Sequence, residues 1–291
     1  ALNENLFPHC GDNFKSKAIY LGYMTRKLLL RVMDMEEDTN KDNFINKRID
    51  ISGFMLSTLF RDALEQVKRL ARIEIERTHE FNSKQYSGAS FIGIINENNY
   101  YKIFSSQRFQ EIFMGSLKKG TIGTKQGVVQ SMERVNYFAT LSHLRRITDP
   151  GSGSEVTLNR RRLHTTQFGS ICPVETPEGG NVGLRKALSI LAHITFGLKT
   201  EPVMNFLNKY GLITTQDLTP NDLITKCKIL VNGTIVGVHT NPSIVVEYFR
   251  LWRRNGLINI FTSITWDIIN KEIVILTDNG RLIKPFYVIE N

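Results

Sequence analysis

Long hydrophobic runs, paired cysteines and the familiar catalytic signatures are all missing from this sequence. No stretch approaches the about 20 apolar residues that a membrane span needs, and the opening residues, ALNENLFPHCGDN, lack the apolar core of a signal peptide. The expectation is a soluble, intracellular protein, with a start at Ala1 reading as a fragment or a trimmed product. The three cysteines, Cys10, Cys172 and Cys227, are far apart and odd in number. They predict no disulfide framework and no CxxC zinc pair, so reduced structural thiols are expected. A GxxxxGK[ST] loop, an HExxH helix, a GxSxG elbow and a clustered aspartate motif are absent too, which leaves a self-sufficient phosphotransferase, zinc protease or serine hydrolase without its signature. There is no internal repeat and no low-complexity tract.

What is present is an ordinary folded composition, 41% hydrophobic and 22% charged, in 291 residues, enough for two domains. The net charge of +9 favours polyanionic partners. Its distribution is uneven. Between Lys118 and Lys186 there are eleven Lys/Arg against five Asp/Glu, so one quarter of the chain carries two thirds of the excess. A solvated basic face making intersubunit salt bridges would give the same count.

Residues 17–35 show apolar positions at helical spacing, Leu21, Met24, Leu28 and Val32, followed by a polar boundary, EEDTNKDNFINKRID. From Ile51 to about Asn82 a long amphipathic pattern predicts a helix whose stripe, with Leu56, Leu59, Phe60, Ala63, Val67, Leu70, Ile73 and Ile75, packs a core. A short helix is expected over 102–117. SLKKGTIGTKQG then reads as an exposed, mobile basic loop with nothing to bury. VVQSMERVNYFATLSHLRRI returns to helical spacing, with Gln130, Arg134, His143, Arg145 and Arg146 on its polar side. TDPGSGSEVTLNRRRLHTT is a turn-rich loop ending in three arginines. NVGLRKALSILAHITFGL reads as a helix or a buried segment. Beyond Gly197 the pattern changes to a small α+β module. It has a hairpin at Asn232–Gly233, a helix with Asn241 as cap, Pro242 in its first turn and Asn255–Gly256 as stop, and two strands joined at Asp278–Asn279–Gly280.

Two features bear on chemistry. In CPVETPEGGNVGL, residues 172–184, Glu175 and Glu178 sit three apart. An acid/base pair, a metal site, a phosphate cradle and a tight turn all fit those letters. Pro177 lies between them, and a residue preceding proline avoids the helical region. The two carboxylates therefore point in different directions from an irregular loop, one holding the turn and the other free for a ligand or an arginine. The second feature is the pair of basic clusters, Arg145–Arg146 and Arg160–Arg161–Arg162, which flank a loop and mix with Gln130, His143, Asn159 and His164. Arginine forks suit phosphates, and the mixture suits a nucleic-acid groove better than a membrane surface.

TLSHLRRITDPG, RRRLHTTQFGSICPVETPEGGNVGLRKALS and LTDNGRLIKPFYVI together resemble the second-largest (β-type) subunit of multisubunit DNA-directed RNA polymerases. IYLGYM, KDNFINKRIDISG, GVVQSMERVNY and VNGTIVGVHTNP line up in the same order, so the resemblance spans nearly the whole chain. The upstream words lean toward the eukaryotic, archaeal or large-DNA-virus branch.

The resemblance implies an α+β architecture in several segments: the end of a lobe over 1–48, a helical part of the protrusion over 49–117, a mixed fork over 118–196 and an external region over 197–291. Loops 118–127 and 149–159 correspond to the two fork loops, beside the RNA–DNA hybrid and the downstream edge of the bubble. Gln130, His143 and Arg146 match the segment along the RNA path, where bacterial relatives bind rifampicin; Thr148 stands where those have serine and Glu133 where they have aspartate. Arg161 matches the arginine ending the second fork loop. Glu178 matches a carboxylate near the RNA 3′ end, and Asn181 matches an asparagine of the same loop, with Gly180 replacing a bulkier residue. Lys125, Arg145, Arg160 and Arg162 complete the set implied to lie near nucleic acid. The partners implied are the largest subunit, other polymerase subunits, template DNA and nascent RNA. Mg²⁺ is implied for the whole enzyme, bound mainly by the largest subunit, so this chain is not expected to polymerise alone. The location implied is the nucleus for a cellular eukaryote and the cytoplasm or virion for a virus. The competing reading is a structural module inside the polymerase that docks protein and touches no nucleic acid.

Overall fold

The computed structural model describes residues 2–81, 94–123, 125, 127–149, 158–286 and 289. The chain forms two compact units, residues 50–190 on one hand and residues 1–49 with 191–291 on the other. The architecture is α+β, with strands gathered into small sheets.

In the 50–190 unit the Ser52–Phe81 helix packs against the Ser106–Lys119 helix and the Tyr100–Ile103 turn. Leu59, Ala63 and Ala71 are its buried positions, and Phe60 meets Phe109 edge to face at 5.2 Å. The predicted stripe is only half used: Phe60 stays 51% exposed and Leu56 44%. Alanines let a second helix approach closely, but that one neighbour covers a narrower face than the apolar pattern marks out. Loop 118–127 is not wholly exposed either. Ile122 is buried and its backbone bridges Lys125, while Thr124 and Gln126 lie outside the described residues.

The helix expected from Val128 onward forms only over Tyr137–Leu144. Asn136 is extended, with φ −153°, and its side chain accepts the Ala139 N–H at 2.7 Å. An N-cap of this kind starts a helix at the next residue and excludes the segment before it. Strand β1, Arg146–Thr148, then pairs antiparallel with β2, Arg185–Ala187, with Arg146 opposite Ala187. β2 falls where the sequence allowed a helix. Most of the expected loop 149–159, residues 150–157, lies outside the described residues.

The other unit is built on a five-stranded sheet in the order β4-β6-β5-β8-β7. Its strands are β4 Ile213–Thr214, β5 Cys227–Val231, β6 Thr234–His239, β7 Ser263–Asp267 and β8 Glu272–Leu276. β5 and β8 are parallel and the other pairs antiparallel. The hairpin stands at Asn232–Gly233, both with positive φ, as a two-residue turn matching strand twist requires. The Glu201–Lys209 and Pro242–Arg254 helices supply Val203, Phe206, Val245 and Phe249 to a core with Ile229, Ile273 and Ile275. Asn241 sits at the predicted cap position without a side-chain cap bond.

The strands flanking Asp278–Asn279–Gly280 do not pair with each other. β8 lies between β5 and β7, whereas Leu282–Ile283 (β9) pairs with β3, His193–Ile194. The Phe14–Val32 helix also belongs to this unit. Its Lys17 is buried and donates to the carbonyls of Asn3 at 2.6 Å and Leu6 at 2.8 Å.

Candidate nucleic-acid interface

The candidate residues fall in the 50–190 unit, and local bonds sort them into those that hold the fold and those that face outward. Asn136 fixes the start of the Tyr137–Leu144 helix, which carries His143 back over the irregular residues before it. There His143 Nδ1 accepts the Glu133 N–H at 3.0 Å, so the ring proton resides on Nε2. That nitrogen meets Gln130 Oε1 at 3.0 Å, and Gln130 Nε2 donates to the Gly127 carbonyl at 2.8 Å. Thr140 donates to the Glu133 carbonyl at 2.8 Å, and Arg146 lies 3.8 Å from the Glu133 carboxylate. Gln130, His143 and Arg146 are thus brought together around Glu133, as one latch on the segment 127–136.

The arginines divide. Arg145 donates to the Ser189 and Ile190 carbonyls at 2.5 and 3.3 Å. Arg160 grips Asp149 with two nitrogens, the bidentate geometry a guanidinium favours with a carboxylate. Arg161 Nη1 donates to the carbonyls of Gly180 and Val182, each at 2.8 Å. Arg162 is exposed and has no partner among the described residues. Lys125 pairs with Asp50. Lys125, Arg145, Arg146, Arg160 and Arg161 are therefore committed inside the unit, and Arg162 is the member of the triple left outward.

The CPVETPEGGNVGL segment is a closed loop. The Thr176 hydroxyl donates to the Arg185 carbonyl and accepts the Gly183 N–H, both at 2.9 Å, joining the two ends. Gly183 has φ +72°, and a Cβ there would lie 2.3 Å from the Arg161 carbonyl oxygen, so only glycine allows the approach. Gly179–Asn181 forms one 3₁₀ turn, with Glu178 just before it. The two carboxylates go separate ways. Glu175 accepts the Ser142 hydroxyl, whereas Glu178 and Asn181 are exposed and their side chains have no partner among the described residues.

Thr176, Ser142 and Gly183 hold this loop, and sequence reasoning did not single them out. A hydroxyl that closes a loop carries no spacing signal, because its partners are backbone groups set by the fold. Among the described residues no three His, Cys, Asp or Glu side chains converge, and Glu178 has lost its acidic neighbour to Ser142. This donor set does not make a magnesium site by itself. Nor, among the described residues, is any helix long and apolar enough to cross a membrane.

Residues 130–194 match the family model described as RNA polymerase Rpb2, domain 3, and residues 229–290 match RNA polymerase Rpb2, domain 4. The chain is 35% identical over 295 residues to DNA-directed RNA polymerase II subunit RPB2 of Eremothecium gossypii, covering 99% of this chain and 23% of that protein. It is 32% identical to DNA-directed RNA polymerase II subunit 2 of Arabidopsis thaliana, over all of this chain and 24% of that one. It is 28% identical to DNA-directed RNA polymerase subunit Rpo2 of Saccharolobus shibatae, over all of this chain and 26% of that one. The chain thus spans about a quarter of the length of the curated relatives it matches.

Proposed function

We propose, for a chain that belongs to the second-largest-subunit family of multisubunit RNA polymerases, that it lines the active-centre cleft during DNA-templated RNA synthesis. On this reading it contacts the RNA–DNA hybrid and keeps strands apart at the bubble. Lys125, Gln130, His143, Arg145, Arg146, Arg160, Arg161, Arg162, Glu178 and Asn181 border the nucleic acid. The observation that carries the reading is the closed loop whose ends are pinned by Thr176 while Glu178 and Asn181 are exposed, their side chains without partners among the described residues. An unneutralised carboxylate on a rigid turn costs nothing in solvent and is ready to accept a hydrogen bond from a ribose hydroxyl or a base. Arg162 supplies the outward positive charge that a phosphate backbone recruits.

The residues act by position and electrostatics. The latch around Glu133 holds Gln130 and His143 in one orientation before substrate arrives, so that ordering is not required during nucleotide addition. Nucleotidyl transfer, Mg²⁺ and the remaining contacts belong to the whole polymerase with its largest subunit.

Photocrosslinking from a modified nucleotide at the RNA 3′ end tests this in the assembled enzyme. Labelling within residues 126–181 is the expected result. Labelling confined elsewhere, with the complex still extending RNA, favours a protein-docking module instead.

A further inference from the structure

The Thr176–Gly183 loop is held from two directions. Its neck is closed by the Thr176 hydroxyl. Its flank is held by Arg161, whose single Nη1 reaches the carbonyls of Gly180 and Val182 at 2.8 Å each. The two backbones touch at Gly183, where a Cβ would meet the carbonyl oxygen and Cα of Arg161 at 2.3 and 2.8 Å. The carbonyls that Arg161 takes lie on either side of Asn181, Gly180 within the turn that follows Glu178 and Val182 at its C-cap. Glu178, at the N-cap position of that turn, makes no side-chain capping bond. Its direction is therefore set by the backbone that Arg161 holds.

We infer that Arg161 is a positioning residue: its guanidinium fixes the 176–183 loop so that Glu178 and Asn181 are presented in one place. Direct phosphate contact is not its task. Each bond from a charged donor to a carbonyl is stronger than a neutral one, and a planar guanidinium loses less freedom per bond than a lysine would. The inference rests on the reading of Glu178 as a nucleotide-facing group, and it changes the role of the arginine beside it.

The test uses the assembled polymerase with Arg161→Ala, Arg161→Lys, Glu178→Gln, or Arg161→Ala combined with Glu178→Gln in this subunit. Hydrogen exchange at the Val182, Gly183 and Leu184 amides reads the loop, and single-nucleotide addition reads function. Arg161→Ala is expected to speed that exchange at least ~10-fold, as loss of a hydrogen bond to a charged group implies, while Glu178→Gln leaves it unchanged. The double variant is expected to add nucleotides within ~2-fold of the slower single variant, because coupled residues are not additive. The salt dependence of complex dissociation is expected to stay at the parental slope.

Unchanged exchange in Arg161→Ala overturns the inference. So do multiplicative losses in the double variant with a salt slope lowered by about 0.9, the mark of one lost phosphate contact. If Arg161→Ala does not assemble, Arg161→Lys decides: faster exchange at Gly183 supports positioning, and parental exchange overturns it. If Glu178→Gln adds nucleotides at the parental rate, the nucleotide-facing reading fails, while the exchange result still decides what Arg161 does to the loop.

Discussion

The Tyr23 hydroxyl donates to Glu272 Oε2 at 3.0 Å across a separation of 249 residues. This bond joins the Phe14–Val32 helix to strand β8. Lys228 of β5 pairs with the same carboxylate at 3.2 Å, and Lys27 approaches it at 3.8 Å. Burial, and then the neighbouring Glu272 charge, push the Tyr23 phenol well above its ordinary ionisation range, so it stays a donor. Residues 1–49 and 191–291 form one unit partly because of this cluster.

Tyr23→Phe removes one donor and should cost about 1–2 kcal/mol of stability. Glu272→Ala leaves Lys228, itself only 4% exposed, buried without its counter-charge and should cost about 3–5 kcal/mol. Urea unfolding followed at Trp252 and Trp266, both in this unit, checks the order of the two.

Two neighbouring glycines should respond differently. Gly183→Ala forces a Cβ against Arg161 at a positive φ, and should destabilise the 50–190 unit by about 1–3 kcal/mol. At Gly180 nothing lies within 4 Å of a Cβ, so Gly180→Ala should change stability by less than about 0.5 kcal/mol. Thermal unfolding of the two variants side by side gives the comparison.

Within the arginine triple, Arg160→Ala should act on the fold and Arg162→Ala on binding. Arg160 and Asp149 are about one-third exposed, so their pair contributes only about 0.5–1 kcal/mol. Arg162→Ala should leave stability unchanged and lower the salt slope of nucleic-acid complex dissociation by about 0.9. Dissociation measured across a salt series separates them, and an unchanged slope for Arg162→Ala would remove it from the interface.

The Cys227 thiol is pushed up to about 11 from an ordinary 9.0, first by burial and with Glu272 adding to it against Lys228. A group whose folded value is raised contributes stability that is fully present below the unfolded value and is lost as pH rises through the folded one. Cys227 therefore supports folding below pH 9 and loses that contribution between pH 9 and about 11. Cys227→Ser should flatten the fall in unfolding midpoint over that window. At pH 8 an alkylating reagent should modify half-exposed Cys172 well before buried Cys227.

Much of this molecule was legible in its letters because the signals were local. Asn232–Gly233 demanded a two-residue hairpin, and Pro242 with Asn255–Gly256 bounded a helix, each through backbone conformations available to few residue types. Pro177 was enough to predict that Glu175 and Glu178 point in different directions, and Glu175 turns to Ser142 while Glu178 is exposed. The family was legible for a different reason, since its phrases run in order along nearly the whole chain. Contacts between distant segments were not. Periodicity marks an apolar face but not how much of it a neighbour covers, so Phe60 and Leu56 remain half exposed. A strand pattern does not name its partner, and β8 and β9 ended in different sheets. Charge counting placed eleven basic residues in one quarter of the chain, yet only folding could spend Arg145, Arg160 and Arg161 on carbonyls and a carboxylate, leaving Arg162 and Glu178 outward. Hydrogen bonds act over about 3 Å, and which groups come within that reach is decided by the tertiary structure.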